Sequence, residues 1–173
     1  LRGALGDGPA LGLRADMDAL PMEEESGAEH RSSTPGVFHG CGHDGHTTML
    51  LGAAKHLAST RGFAGTVHFI FQPAEEGLAG ARAMMEDGLF ERFPCDEVYG
   101  MHNWPQLGFG QMAVGSGPMM AASDLVKIEI EGVGAHAAMP HRGVDPVYVA
   151  SQVISSLQSL VSRSTNPADA AVV

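Results

Sequence analysis

Two hydrophobic rhythms alternate along this chain, and the switches between them outline its elements. Residues 11–15 are a short apolar run after a Gly/Pro turn, which predicts a strand ending at Asp16-Met17-Asp18. A polar, turn-rich segment, residues 23–36, leads to the glycine- and histidine-rich residues 39–46. Residues 47–58 then have helical spacing, with Met49, Leu50, Ala53, Ala54 and Leu57 on one face and Thr47 placed as a cap. Residues 66–71, TVHFIF, are β-branched and aromatic and predict a buried strand. That strand stops at Gln72-Pro73-Ala74-Glu75-Glu76-Gly77. Residues 80–87 predict a helix closed by Gly88, and residues 97–101 a third strand ending at His102-Asn103-Trp104-Pro105.

Strands that alternate with helices predict βαβ units and a largely parallel sheet. In such sheets ligands bind beyond the carboxyl ends of the strands. The three predicted strands end at Asp16/Asp18, at Glu75/Glu76 and at His102, while Cys41 and His43 lead into a helix. The residues richest in chemistry therefore fall where this architecture converges.

The pattern changes after Ser116-Gly117-Pro118. Residues 125–131 alternate apolar Val126, Ile128 and Ile130 with polar Lys127, Glu129 and Glu131, which predicts a half-solvated strand. A Gly/His loop, residues 132–143, follows. Asp145-Pro146 supplies a cap and a first-turn proline for a helix whose stripe is Val147, Ala150, Val153, Ile154, Leu157, Leu160 and Val161. A further strand is expected to begin at Ala170. This places a domain boundary in residues 118–123, giving a first domain of residues 1–119 and a second of residues 120–173. The chain opens on Leu and closes on apolar, strand-like residues, so both ends read as cut from a longer protein.

A length of 173 residues suits one ordinary domain or slightly more. Ten Lys and Arg against 20 Asp and Glu give a formal charge of −10, without basic runs, which disfavours nucleic acid and anionic membranes as partners. No run of about 18 apolar residues marks a membrane span. No signal-like opening is present, so a cytoplasmic protein is expected. Two cysteines cannot build a disulfide framework. Nine histidines in so acidic a chain are many, and they cluster.

Cys41-Gly42-His43 places a thiolate and an imidazole at i and i+2, which in extended backbone point the same way and can reach one ion. On its own this tripeptide is equally a glycine-rich loop with a buried thiol. Asp44 and His46 are read as helix caps or as hydrogen-bonding supports for ligands. Glu75-Glu76 ends a buried strand between a proline and a glycine. One carboxylate there can bind metal while its neighbour accepts a proton from water that the metal acidifies. His102 ends a third strand, and Asp16 and Asp18, at i and i+2, can face one side. His136 and His141 sit in the later Gly/Ala/Pro loop, where function tends to gather. His30, His56, His68 and Cys95 have no companions and are read as structural or surface residues.

Taken in order, LRADMDALPMEE, HGCGHDGHTTMLLGAA, FQPAEEG, MHNWP and GAHAAMPHRGVDP resemble the metal-dependent amidohydrolases that include hippurate hydrolase, N-acyl-amino-acid amidohydrolase and the plant auxin-conjugate hydrolases. The resemblance covers nearly the whole chain. It implies a zinc-peptidase-like α/β catalytic domain, incomplete here, with two divalent ions of Zn, Mn, Co or Ni. It also implies the start of an inserted α+β lid that mediates homodimer contacts. Cys41, His43, Glu76 and His102 match the metal ligands, and Glu75 the general base. His136 matches a lid residue that holds the substrate carboxylate or oxyanion, with Asn103 a further substrate contact. Asp16, Asp18 and Asp44 match residues that support the ligands. The family's further ligand histidine, from beyond the lid, is not in these residues, so the fragment alone is expected to be inactive.

The implied reaction is metal-assisted hydrolysis of the amide bond of N-acyl amino acids, giving a carboxylate and a free amino acid. A peptidase or deacetylase of the same metal-dependent type is the nearest alternative. Two readings come from other classes: a cysteine hydrolase with Cys41 as nucleophile and His43 or His46 as base, and a non-catalytic metal-binding or interaction fragment. The cysteine reading leaves Glu75, Glu76 and His102 without a role. No nucleotide-binding glycine motif competes.

Overall fold

The computed structural model describes residues 1–117 and 119–173. Pro118, within the predicted domain boundary, lies outside the described residues. The chain divides into two units, Leu1–Met112 and Ala113–Val173. Among the described residues no helix is long and apolar enough to cross a membrane.

The first unit carries strands β1 (Ala10–Asp16), β2 (Thr66–Gln72) and β3 (Glu97–Gly100) and helices α1 (His43–Thr60), α2 (Gly80–Glu86) and α3 (Leu89–Arg92). The sheet order is β2-β1-β3, and both pairings are parallel. β1 lies in the centre because it is flanked by the crossover through α1 and by the one through α2 and α3. Asp16 pairs with Gln72, and Arg14 pairs with Gly100. The three strands thus end close to one level, and the segments after them leave from the same edge. Ala15, Leu50, Val67 and Ile70 are the buried apolar residues described, and α1 packs on β1 and β2.

Helix α1 starts at His43, four residues before the predicted start. Gly42, at φ +86°, turns the chain into it, and Thr47 is not a cap: its hydroxyl donates to Asp16 O at 3.1 Å. The buried residues of α1 are His43, His46 and Leu50, at i, i+3 and i+7. Its inward stripe therefore begins in imidazoles, which an apolar count does not register. Asp87 caps α2, and Gly88, at φ +84°, opens the one-turn α3, which the apolar pattern does not signal.

The second unit contains a short 3₁₀ turn, Pro140–Arg142, helix α4 (Pro146–Ser159) and a π-helical extension, Leu160–Ser164. Asp145 caps α4 as predicted, its Oδ1 accepting from the N–H of Val147 at 2.9 Å and of Tyr148 at 3.2 Å. The strand expected over residues 125–131 is not formed, nor is one at Ala170. A strand exists only where a neighbour completes its hydrogen-bond ladder. Among the described residues the second unit offers a single antiparallel bridge, Val133 to Val144, and Leu125 and Val126 lie in solvent.

Candidate metal centre

Four segments meet at the carboxyl edge of the sheet. Asp16 and Asp18 leave β1, Glu75 and Glu76 leave β2, His102 and Asn103 leave β3, and Cys41 to His46 lead into and form the first turn of α1. The turn after β2 is pinned to the end of β1, because the Glu76 N–H donates to Asp18 Oδ2 at 2.9 Å. Gly80 closes that turn, and a Cβ there would lie 2.8 Å from the Pro73 carbonyl carbon. Only glycine fits so close a backbone approach.

Cys41, His43 and His102 bring one ligand atom each to within 4.8 Å of one another, as do His43, Glu75 and Glu76. Cys41 Sγ lies 3.4 Å from His102 Nε2. Tetrahedral bonds of about 2.0–2.3 Å to N, O and S put neighbouring ligand atoms about 3.4–3.6 Å apart, so the cluster is already near ligating dimensions. His43 is 1% exposed, and neither of its ring nitrogens has a hydrogen-bond partner. Its Nε2 faces three carboxylates, Glu76 at 3.7 Å, Asp16 at 3.8 Å and Glu75 at 3.9 Å. Its Nδ1 lies 3.3 Å from Asp18 Oδ1, itself buried and unpartnered. An orphaned buried polar group costs about 1–3 kcal/mol, and a cation seated between Nε2 and the carboxylates removes that cost. Sulfur, imidazole and carboxylate donors together suit Zn and its neighbours in the first transition row. The donor set fits a divalent ion.

The protonation states follow the same packing. Burial pushes the Cys41 thiol above its ordinary range, and the carboxylates of Glu76, Glu75 and Asp16 push it further. Burial also raises Asp16, but the His46 hydrogen bond and the charges of Arg14, His43 and His46 outweigh it and leave the carboxyl below its usual range. At Asp18, hydrogen bonds from the backbone of Glu76, Glu75 and Asp18 itself overcome desolvation in the same direction. The result is a negative pocket holding a neutral thiol, which a cation would convert to a thiolate ligand. A thiol raised in this way is the opposite of an activated nucleophile. The imidazole within hydrogen-bonding distance of it is that of His102.

The remaining predicted residues are placed differently. Asp44 is exposed, and its carboxylate accepts from the Gly45 N–H at 2.8 Å. The Asn103 side chain turns toward α1, its Nδ2 donating to Gly42 O at 3.3 Å. His136 belongs to the second unit, in a loop pinched shut by Val133 and Val144 and lining a concavity of about 490 Å³. The Ala138 N–H donates to His136 Nδ1 at 3.1 Å, which leaves the ring proton on Nε2. His46, expected to be a helix cap or a support for ligands, is a buried support within the first turn of α1. It is 3% exposed, and its Nδ1–H donates to Asp16 Oδ1 at 2.6 Å. Its spacing from His43 and Leu50 was the available signal, visible once α1 is extended back to residue 43.

Fold and donors define an α/β protein with a part-buried Cys/His/carboxylate cluster at the carboxyl ends of parallel strands. The chain belongs to peptidase family M20/M25/M40, whose sequence profile matches residues 12–171. It is 52% identical over 163 residues to a hippurate hydrolase of Campylobacter jejuni, covering 94% of this chain and 42% of that protein. It is 45% identical over 168 residues to an N-acyl-L-amino acid amidohydrolase of Geobacillus stearothermophilus, covering 96% of this chain and 45% of that protein. A Bacillus subtilis crystal structure described as a dinuclear metal binding peptidase from the M20 family matches with TM-score 0.64 and 44% identity. That match covers 68% of this chain and 33% of the other. The chain thus spans about two-fifths of the length of the curated relatives it matches.

Proposed function

We propose that the protein containing this chain is a metal-dependent amidohydrolase that cleaves N-acyl amino acids, hippurate-like substrates among them, to a carboxylate and a free amino acid. The observation that carries this reading is that two ligand-atom clusters, Cys41/His43/His102 and His43/Glu75/Glu76, share His43, whose ring nitrogens are both buried and unpartnered. The descriptions of the relatives as a hippurate hydrolase, an N-acyl-L-amino acid amidohydrolase and a dinuclear metal binding peptidase support a reading of this kind. Cys41, His43, Glu76 and His102 hold a pair of divalent ions, with any further ligand coming from outside these residues. Such ions polarise an amide carbonyl and acidify water. Glu75, the more exposed of the two glutamates, takes the proton from water and returns it to the departing amine. Asp18 holds the Glu75–Glu76 turn through the Glu76 N–H, and Asp16 holds His46. His136 offers its Nε2–H to the substrate carboxylate or the developing oxyanion. The second unit serves as a lid and homodimer contact.

The test is hydrolysis of an N-acyl-amino-acid panel, N-benzoylglycine included, by the complete polypeptide before chelation, after it, and after add-back of Zn, Mn, Co or Ni. Loss on chelation and metal-specific recovery support the reading. Turnover indifferent to chelator overturns it.

A further inference from the structure

We propose that His46 is a positioning residue that ties the ends of β1 and β3 together and so holds His102 against Cys41; this rests on the metal-centre reading above. Both ring nitrogens are committed. Nδ1–H donates to Asp16 Oδ1 at 2.6 Å, and Nε2 accepts from the Asn103 backbone N–H at 2.9 Å. Asp16 is held in turn from its other oxygen, which accepts from Arg14 Nη1 at 2.7 Å, while Arg14 Nε donates to Gln72 Oε1 at 2.8 Å. One polar chain therefore runs from β2 through β1 to the segment after β3.

Asp16, His43 and His46 also bring ligand atoms within ligating distance of one another and are all buried. Yet Asp16 and His46 already satisfy each other, and no lone pair of His46 remains for an ion. Asp16 and His46 thus serve as scaffold, while His43, shared with the other two clusters, belongs to the metal centre. The scaffold is needed because β3 ends at Gly100, two residues before His102. Beyond that end, His102 Nδ1 contacts only the carbonyl of its own neighbour Asn103, at 2.6 Å, and the Asn103 amide makes a long 3.3 Å bond to Gly42 O. The short links that fix this segment both end on His46 Nε2, which lies 2.9 Å from the Asn103 backbone N and 3.0 Å from the Asn103 Oδ1. The His46 ring also packs edge-on against His102, with centroids 4.6 Å apart at 69°. Loss of such a support for a ligand typically costs about 10–100-fold in metal affinity.

The experiment measures Zn²⁺ affinity of the complete polypeptide by competition with a chelating dye. Wild type, His46→Leu, His46→Gln, His102→Ala and the double variant His46→Leu/His102→Ala are compared. His46→Leu is expected to weaken Zn²⁺ about 10–100-fold. His46→Gln, whose amide oxygen can again accept from Asn103, is expected to recover most of that loss. In the His102→Ala background the Leu substitution is expected to add little, because its effect is transmitted through His102. A general packing defect would add fully in both backgrounds, and that result overturns the proposal, as does an unchanged affinity in His46→Leu. A wild type that binds no Zn²⁺ rejects the metal-centre reading itself, and this inference with it.

Discussion

Gly42 packs against the Asn103 side chain at the entry to α1, and replacing it with alanine tests whether the geometry there is needed. Its φ of +86° is left-handed, a conformation that costs a residue with a Cβ about 1–2 kcal/mol. An added Cβ would lie 2.6 Å from Asn103 Oδ1 and 2.8 Å from its Cγ, and closer still to Nδ2. The amide must therefore swing away, giving up its bond to Gly42 O and its packing beside His46. At about 0.5–1.5 kcal/mol per hydrogen bond, the total cost of Gly42→Ala is about 2–3 kcal/mol. Asn103→Ala alone should cost about 1 kcal/mol by the same measure. In the double variant the strain persists but the clash is gone. The two costs should then fall short of additivity by about 1 kcal/mol. Urea unfolding of the metal-free complete polypeptide measures all four corners of this cycle. Strict additivity would refute the clash, and a Gly42→Ala cost below about 0.5 kcal/mol would refute the strain as well.

Three other outcomes follow from the same geometry. Glu75→Gln should keep metal, as counted by metal analysis, while turnover falls by at least about 100-fold; surviving turnover would remove Glu75 as the base. Iodoacetamide should label Cys41 in chelated protein and be blocked by saturating Zn²⁺, as read by mass spectrometry, whereas Cys95, away from the cluster, should label equally with and without metal. Ile70→Ala should destabilise the first unit by about 2–3 kcal/mol in urea unfolding, at the low end of core truncations. Its side chain borders an existing apolar cavity of about 260 Å³ into which neighbours can relax.

The strands of the first unit and its helices α1 and α2 were legible because the strands are bounded by turn residues and these helices keep helical spacing. The convergence of Asp16, Glu76 and His102 followed from parallel topology, since parallel strands put successive carboxyl ends on one edge. The first turn of α1 was hidden because the side chains that face inward there are histidines. The supporting role of His46 was legible beside Cys41-Gly42-His43, but its burial was not: a polar residue on a buried face has an apolar residue's position without its hydropathy. Residues 125–131 show the reverse failure. Their alternation is a strand's pattern, but pattern specifies which face would be buried, not whether a partner is present to pair.

The hydrogen bond from Glu76 to Asp18 joins residues 58 apart in the chain, and the contact of Cys41 with His102 joins residues 61 apart. Contacts of that separation form with the parallel ladders, which themselves join residues as far apart, Ala10 with Thr66 and Leu11 with Glu97. In an unfolded chain only the local pair Cys41 and His43 can meet an ion. On the proposed reading, the full set of donors exists only once those ladders have paired. Metal then stabilises the native state over any transition state that lacks this edge. Its signature is kinetic: bound metal slows unfolding in proportion to the stability it adds, while the rate of refolding stays nearly unchanged.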